Sequence, residues 1–288
     1  MTPNSTAKSS IPTDFAERLR VRPGSKVHLD RIDPSFNGPP GAEKDAASVL
    51  DADKVRLHEL QAMLYAERKH SLLICLQGMD TSGKDGTISH IFGAMNPQGC
   101  RVAGFKTPTA EEQAHDFLWR AHKAVPATGE VVVFNRSHYE DVLVARVHRL
   151  VAKNVWSARY DQINTFEEAL VEQGTHILKF FLHISKHEQL KRFKDRIDDP
   201  SKRWKISDAD YAERKRWDDY ADAYEDMLSR CSTEHAPWYV VPANHKWFRN
   251  LAIARIVVGH LEGLKMRYPD PPVDLGRIRR EFRNAEHS

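Results

Sequence analysis

The chain has 288 residues, of which 41% are hydrophobic and 29% are charged, and these ordinary fractions exclude a disordered or fibrous protein. Its formal net charge of +3 is too small for a general nucleic-acid coat, so we expect no nucleic-acid partner and a local site for any anion. Three scattered cysteines, Cys75, Cys100 and Cys231, provide neither a metal-ligand spacing nor a disulfide framework, which favours a reducing, cytoplasmic location.

The first 43 residues are rich in Ser, Pro and Gly. We therefore predict an N-terminal arm (1–43) with little regular structure, followed by one compact domain (44–288). The beginning of the arm is polar and lacks the apolar stretch of a secretory signal. The longest apolar runs, 72–76 and 131–134, have the length of strands, so we expect no membrane span and no membrane partner.

Helices and strands are predicted to alternate along the domain. Its first half contains a helix (44–68), a buried strand (71–76), a Gly-rich turn, a helix from Gly86, a strand (101–105) and a helix with a Thr109/Glu112 capping box. Its second half contains a strand (130–134), helices (139–148 and 156–173), a strand (176–182), a helix capped by Ser185 with Glu188, a helix from about Asp210, a strand (238–241) and a closing helix (246–266). Because these strands are too apolar to face water, we predict an α/β three-layer sandwich, a parallel sheet flanked by helices.

The strongest chemical signal is the segment Gly78-Met-Asp-Thr-Ser-Gly-Lys-Asp-Gly-Thr87, the phosphate loop, which follows an apolar strand and opens a helix. Its glycines would let backbone N–H groups point at a phosphate, the helix start adds partial positive charge, and Lys84 would reach the outer phosphates. We expect phosphate contacts from Gly78, Ser82, Gly83, Lys84, Gly86 and Thr87. The alternative is a turn that merely joins strand to helix, and the lysine after Gly83 argues against it.

Two acids distinguish this loop from the usual one. Asp85 stands where a Ser or Thr hydroxyl normally helps to hold Mg²⁺, and Asp80 is a second carboxylate inside the loop. Two carboxylates would repel a polyanion unless a divalent cation lay between them, so we predict Mg²⁺ held by Asp80 and Asp85. The alternative is that one of them caps the loop or the helix.

The strand 130–134 occupies the place of a Walker B strand, but Asn135 follows it instead of a metal-holding aspartate. The missing acid promotes Asp141, and less strongly Glu140, as a metal ligand. Arg136 lies just beyond the carboxyl end of the strand, where open α/β sheets bind ligands, and it can grip a phosphate. Its alternative role is a structural ion pair with Glu140 at helical spacing.

The segment 186–205 concentrates positive charge, with eight Lys/Arg against four Asp/Glu. We predict a lid at about 191–209, because basic side chains on a mobile flap can close over a phosphate donor. Its expected phosphate contacts are Arg192, Arg196 and Lys205, and Arg203 is expected to act in catalysis. The alternative is an ordinary solvated face. We expect His138 and His183 to be structural, since neither has a second ligand at metal spacing.

Four blocks together resemble the polyphosphate kinase 2 family: 78–87, 134–142 (Phe-Asn-Arg-Ser-His-Tyr-Glu-Asp-Val), 179–185 (Lys-Phe-Phe-Leu-His-Ile-Ser) and 199–205 (Asp-Pro-Ser-Lys-Arg-Trp-Lys). The resemblance runs from about Lys26 to Tyr268 and is strongest to members that accept both AMP and ADP. It implies a thymidylate-kinase-like P-loop kinase with a helical lid. It further implies Mg²⁺, with Mn²⁺ as a substitute, inorganic polyphosphate as donor and nucleoside mono- and diphosphates as acceptors. The functional residues that it implies are Asp80, Lys84, Asp85, Arg136, Asp141 and Arg203.

Two other functions remain open at this point. An ATP-dependent nucleoside monophosphate kinase would share the fold and the lid, because spacing and charge do not distinguish polyphosphate from the triphosphate of ATP. A P-loop switch or polyphosphate-binding module without turnover is the second, although no Asn-Lys-x-Asp guanine-reading element is present. We also expect a homo-oligomer, either a dimer or a tetramer.

Overall fold

Residues 15–286 are described by a computed structural model, and their central feature is a parallel β-sheet. The strands are β1 (Ser71–Gln77), β2 (Cys100–Gly104), β3 (Val131–Asn135), β4 (Thr175–His183) and β5 (Trp238–Pro242), in the order β2-β3-β1-β4-β5. The helices are α1 (Phe15–Leu19), α2 (Ala42–Glu67), α3 (Lys84–His90), α4 (Ala110–Gln113), α5 (Trp119–His122), α6 (Glu140–Val147), α7 (Lys153–Glu172), α8 (Lys186–Asp198), α9 (Asp208–Arg214), α10 (Trp217–Cys231), α11 (Lys246–Gly263) and α12 (Leu275–Glu286). Short 3-10 turns cover Leu29–Arg31, Phe92–Ala94 and Arg203–Lys205.

The sheet is buried on both faces because its strands are apolar throughout. Side chains of a strand point alternately to opposite faces, so Leu72 and Ile74 enter the main core, while Leu73 and Cys75 enter a second core with Phe166 of α7. Each fully buried side chain of this kind stabilises the fold by about 1.5–3 kcal/mol. The sandwich that the strand composition predicted is therefore confirmed.

The topology creates a crevice at the carboxyl ends of β1 and β3. From β1 the chain passes over β3 to form β2, returns to β3 and then crosses to β4 on the other side of β1. Connections leave in opposite directions at this switch point, which is where open α/β sheets bind ligands. The phosphate loop leaves β1 at this edge, and the segment from Asn135 leaves β3 beside it.

The predicted element types are confirmed, with ends shifted by a few residues. Thr109 and Glu112 form the expected reciprocal capping box at α4. At α8 only half of the expected box forms: Ser185 accepts a hydrogen bond from the N–H of Glu188, but the Glu188 carboxylate binds Arg192 instead (2.8 Å). The short helices α1 and α5 and the amphipathic helix α12 were not predicted, and the side chains of α12 are exposed.

The N-terminal arm packs on the domain from residue 15 onward, which its composition did not predict. Phe15, Leu19 and Val27 are buried in the main core, and the N–H of Val21 donates to the carbonyl of Trp238 (2.8 Å). This stretch covers the exposed edge of β5, where unpaired backbone groups would otherwise face water. Residues 1–14 lie outside the described part of the chain. No helix within residues 15–286 has the length and apolarity needed to cross a membrane.

Candidate active site

Two glycines of the phosphate loop are required by its geometry. Gly78 has φ 151°, and a Cβ added there would lie 2.8 Å from the carbonyl oxygen of Leu182. Gly83 has φ 107°, and its Cβ would lie 1.8 Å from a guanidinium nitrogen of Arg249. Both the left-handed backbone and the close approach of neighbours exclude a side chain at these positions. The sequence forms a narrow turn that leads directly into α3.

Lys84 lies at the centre of this turn. Its Nζ donates hydrogen bonds to the carbonyls of Gly78 (2.8 Å) and Met79 (3.4 Å). Burial, followed by the nearby Arg136 guanidinium, lowers the pKa of Lys84 to about 8. The ammonium group is therefore destabilised in the free protein, and a bound phosphate would supply the negative charge that stabilises it.

Three hydroxyl groups of the loop, those of Thr81, Ser82 and Thr87, are buried without a hydrogen-bond partner among residues 15–286. A buried polar group without a partner costs free energy, so such atoms point to a ligand, ion or water that completes them. Ser82 and Thr87 were predicted to contact phosphate, and their unpaired oxygens leave them able to do so. Gly86 lies in the first turn of α3, between Lys84 and Thr87.

Asn135 and Asp85, the two departures from ordinary P-loops, contact each other. The Asn135 side-chain amide donates to Oδ1 of Asp85 (2.9 Å), and Nζ of Lys205 lies 3.4 Å from its Oδ2. Burial would raise the pKa of Asp85, but the Asn135 hydrogen bond and the Lys205 charge outweigh it and lower that pKa. Asp85 is therefore held as a carboxylate at the mouth of the loop.

Arg136 links the two sides of the crevice. Its guanidinium lies 3.3 Å from Oδ1 of Asp80 and 3.8 Å from Oε2 of Glu140. Its backbone has φ 62°, a strained conformation for a side-chain-bearing residue that is found mainly at functional sites. The ion pair with Glu140 that was considered as an alternative is present, and it coexists with the contact to Asp80. Glu140 also accepts a hydrogen bond from Gln77 (3.0 Å), which fixes the pair at the end of β1.

The residues of the loop fit a divalent cation. The side chain of Asp80 is 29% exposed and that of Asp85 is 64% exposed, so both carboxylates can be reached from solvent. Among residues 15–286, Oδ2 of Asp80 has no hydrogen-bond partner. Carboxylate oxygens beside a phosphate site are the ligands that Mg²⁺ prefers.

Asp141 is not brought together with Asp80 and Asp85. Its carboxylate binds two guanidinium groups, those of Arg120 (3.1 Å) and Arg159 (3.3 Å). Within residues 15–286, the group of three or more acidic, histidine or cysteine side chains whose donor atoms all lie within 4.8 Å of one another is His28, Asp30 and Glu225, which includes no residue of the phosphate loop. Asp141 lies in the first turn of α6, and its arginine partners come from α5 and α7.

The predicted lid runs from the second half of α8 to the start of α9. Its four candidate cations fall into two groups. Arg192 is buried at its base and donates to the carbonyls of Thr81 and Ser82 (both 2.9 Å), so it supports the phosphate loop from behind. The others are nearer the surface: Arg196 donates to the carbonyl of Lys205 (3.3 Å), Arg203 donates to the carbonyl of Ile197 (2.8 Å), and Lys205 reaches Asp85. We call residues 199–207 the outer lid.

Several supporting residues were missed by the sequence reasoning. Arg249 is buried in α11 and donates to the carbonyl of Ser82 (3.3 Å), and burial lowers its pKa to about 10. Gln189 of α8 donates to the carbonyl of Asp80 (3.1 Å). The polar pair Arg249-Asn250, which directly precedes the apolar run Leu-Ala-Ile-Ala, was an available signal, because buried arginines usually have a specific acceptor. Arg120 and Arg159 carried no comparable signal.

Comparisons with known proteins identify the family of this chain. The family model described as Polyphosphate kinase 2 matches residues 42–269. A relative from Meiothermus ruber, named AMP/ADP-polyphosphate phosphotransferase, is 51% identical over 259 residues, which cover 88% of this chain and 96% of the relative. One from Rhodopseudomonas palustris, named ADP-polyphosphate phosphotransferase, is 44% identical over 270 residues, which cover 88% and 92%.

Among solved structures, polyphosphate kinase 2 from Arthrobacter aurescens TC1 superposes with a TM-score of 0.90 at 48% identity, covering 94% of this chain and 96% of that one. The residues that the family model matches, 42–269, include the phosphate loop, the crevice and the lid. A family match over most of the sequence and a close structural match at high identity lead to one conclusion. The chain belongs to the polyphosphate kinase 2 family.

Proposed function

We propose that this protein transfers a phosphoryl group reversibly between inorganic polyphosphate and nucleotides, forming ATP from ADP and also ADP from AMP. The observation that carries the proposal is the contact between Asn135 and Asp85 at the mouth of the phosphate loop. Asn135 and Asp85 are the two residues that depart from ordinary P-loops, and their contact holds an acidic group beside Lys84. Relatives at 51% and 44% identity are named as polyphosphate phosphotransferases for AMP/ADP and for ADP, which supports both acceptors.

We assign Asp80 and Asp85 to a divalent cation, Mg²⁺ with Mn²⁺ as a substitute. When bound, the cation would neutralise negative charge on the phosphates. Asn135 and Lys205 keep Asp85 ionised for this purpose, and Arg136 orients Asp80. Asp141, predicted as a third ligand, already has two arginine partners. We therefore assign it to positioning on the acceptor side of the crevice.

Lys84 and Arg136 are assigned to the phosphoryl group in transit. The attacking atom is a terminal phosphate oxygen of the nucleotide, which is already anionic at neutral pH, so a strong general base would contribute little. Positioning and charge neutralisation dominate instead. The unpaired hydroxyls of Ser82 and Thr87 and the N–H groups of Gly83 and Gly86 complete the cradle.

A cavity of about 540 Å³ beside Asp141 suits the nucleoside part of the acceptor. It lies between the loop before α5 and the first half of α7, and Arg159 belongs to both the cavity wall and the Asp141 ion pair. The ring of Phe117 lies under the Arg159 guanidinium, 4.7 Å away. Four of the eight lining residues are apolar and four are polar or charged, and sites for small organic ligands combine apolar walls with polar groups that fix the ligand's orientation.

The outer lid is assigned to the donor. Arg203 is exposed and, within residues 15–286, is held only through a backbone carbonyl, so its charge is available to a polyphosphate chain over the loop. Lys205 lies on the same segment and already reaches Asp85, and Arg196, near the end of α8, donates to the carbonyl of Lys205. Arg192 would act indirectly, by fixing the backbone of Thr81 and Ser82.

A donor swap tests the proposed function. The protein is mixed with Mg²⁺ and ADP, and ATP formation is measured after adding long-chain polyphosphate; in parallel, AMP is supplied with either polyphosphate or ATP. We expect ATP from ADP and polyphosphate, and ADP from AMP and polyphosphate. Phosphorylation of AMP by ATP alone, with none from polyphosphate, would instead identify a nucleoside monophosphate kinase.

Two coarser expectations accompany this function. We infer a cytoplasmic setting, supported by the free, buried thiols of Cys75 and Cys231, and we infer a homo-oligomer, either a dimer or a tetramer. Fractionation of the native host and light scattering of the purified protein test them. A secreted fraction or a monomeric mass would contradict the respective inference.

A further inference from the structure

A second cavity, of about 520 Å³, lies at the far end of α6 from the crevice. Its walls come from the end of α6, the connection that follows and the first turns of α7. The residues that line it are Arg146, Arg149, Leu150, Val151, Ala152, Lys153 and Trp156. Three of these seven side chains are cations and none is an acid, so the cavity is suited to an anion.

The surrounding sequence carries a concentrated positive charge. Residues 142–160 contain four Lys/Arg and no Asp/Glu, in a chain whose formal net charge is only +3. Arg149 and Lys153 are exposed, and among residues 15–286 neither has an acidic partner. Unneutralised cations that face one cavity attract a polyanion and raise its local concentration.

Arg146 and Trp156 form the rigid side of the cavity. Arg146 donates to Asp226 (2.6 Å) and lies over the Trp156 ring at 4.7 Å, while Tyr160 meets that ring edge-on at 6.2 Å. One face of the indole is thus already covered by a guanidinium, which favours an inorganic anion over a stacked base. The first N–H groups of α7 lie at this cavity. They are available to an anion because Ala152 provides no side-chain cap.

We propose that this cavity is a second anchoring subsite for the polyphosphate chain, contacting it through Arg149 and Lys153 at a distance from the reacting end. The inference rests on the proposed function, because it takes polyphosphate as the donor. The helix α6 connects the two sites: its first turn follows Arg136, and its eight residues span about 12 Å. A long chain held in the crevice can reach the cavity, whereas a short one cannot.

The test compares the double variant Arg149→Asn, Lys153→Gln with the wild-type enzyme. Asn is chosen at position 149 because Arg149 has φ 52°, a left-handed conformation that Asn tolerates. Arg146 is left intact because it holds α6 to α10 through Asp226. The matched control removes two exposed cations from the arm, Arg22→Gln with Lys26→Gln, so that the net charge changes equally.

We expect the KM for long-chain polyphosphate to rise about fivefold in the double variant, since each exposed ion pair contributes little. The KM for tetraphosphate, the KM for ADP and the unfolding temperature should stay unchanged, and the control variant should match the wild type. The slope of log KM against log salt concentration should fall by about 1.4, as for two lost contacts to a flexible polyanion.

Each contrary result has its own meaning. An equal KM for long-chain polyphosphate in wild type and double variant would overturn the anchoring subsite alone, provided that the wild type turns over tetraphosphate. A raised KM for ADP with an unchanged KM for polyphosphate would overturn it in favour of a nucleotide pocket. If the wild type turns over neither long-chain polyphosphate nor tetraphosphate, the proposed function fails and the subsite fails with it.

Discussion

The phosphate loop and the outer lid carry similar chemistry but are held in different ways. The loop is supported from behind by buried side chains, since Arg192, Arg249 and Gln189 all donate to its carbonyl groups. The outer lid is held mainly by exposed contacts within itself and by one ion pair to Asp85. The Trp204 side chain at its centre is 77% exposed.

The difference corresponds to two separate requirements, which are to hold the phosphates rigidly and to admit the polymer. A cradle for phosphates must be fixed before the ligand arrives, because reorganisation at the moment of transfer would raise the barrier. A lid must open to admit a polymer, and exposed ion pairs contribute only about 0–1 kcal/mol each, so they can be exchanged for contacts with phosphate. We therefore expect loop variants to lose turnover or stability, and outer-lid variants to lose affinity for the donor.

The largest effect is expected for Lys84→Ala. Removing the ammonium group takes away charge at the transferring phosphoryl, so kcat should fall by about a thousandfold or more. The fold should survive, because Lys84 contributes only hydrogen bonds to Gly78 and Met79. Steady-state kinetics and circular dichroism check the two parts. Near-normal turnover in Lys84→Ala, or in the companion variant Asp80→Asn, would refute the assignment.

Arg192→Met should remove a support of the phosphate loop without changing the groups that would contact phosphate. The carbonyl of Thr81 would lose its buried donor and that of Ser82 would keep only the longer bond from Arg249, at a cost of about 3 kcal/mol in the free energy of unfolding. We expect kcat to fall together with stability, and urea denaturation measures the latter. Lys194→Gln, on the same helix but exposed, is the matched control. Unchanged stability in Arg192→Met would show that the loop does not depend on this support.

Asp85→Asn should raise the Mg²⁺ concentration needed for half-maximal rate by about tenfold, since one charged ligand becomes neutral. The side chain keeps its shape and can still contact Asn135. Titration of the rate with Mg²⁺ and with Mn²⁺ checks the expectation. Asp141→Asn is the informative comparison: it should leave the Mg²⁺ requirement near that of the wild type, and a larger shift in it than in Asp85→Asn would restore Asp141 as the metal ligand.

The rate should also depend on the protonation of Lys84. Its pKa is lowered to about 8, so the required ammonium form is lost as the pH rises through that value. We expect kcat/KM, which reports the free enzyme, to fall about tenfold per pH unit above 8. The decline in kcat should begin at higher pH, because bound phosphates raise the pKa again. A kcat/KM that stays flat to pH 10 would contradict the lowered pKa.

The smallest effect is expected in the outer lid. Arg203→Gln should raise the KM for polyphosphate about threefold to fivefold, with kcat and the unfolding temperature nearly unchanged, since Arg203 is exposed and holds only the carbonyl of Ile197. Kinetics at several donor concentrations separate KM from kcat. A loss of kcat as large as that of Lys84→Ala would place Arg203 on the reacting phosphoryl group and remove the contrast between loop and lid.

The sequence was sufficient for the local parts of this picture. Strand composition predicted the parallel sheet, and Gly78, Gly83 and Lys84 predicted the phosphate loop, because local chemistry dictates both. The supports of the loop required tertiary information. Arg192 was read as a lid cation because its neighbours are basic, whereas its surroundings in the fold are the carbonyls behind the loop.

Asp141 illustrates the same limit. The absence of a metal-holding aspartate at Asn135 promoted Asp141 as a metal ligand, but the arginines that bind its carboxylate lie 21 residues before and 18 residues after it, so no local pattern reveals them. The arm was similarly misjudged in its packing, since Phe15 and Leu19 are buried against elements more than two hundred residues away.

The most direct test is a crystal structure with Mg²⁺, a short polyphosphate and ADP. We predict a phosphate oxygen within hydrogen-bond distance of Lys84 Nζ, phosphate contacts to the hydroxyls of Ser82 and Thr87, and a cation between Asp80 and Asp85. Phosphates bound elsewhere, with the loop hydroxyls still unpaired and Asp85 still paired only with Asn135 and Lys205, would contradict the account.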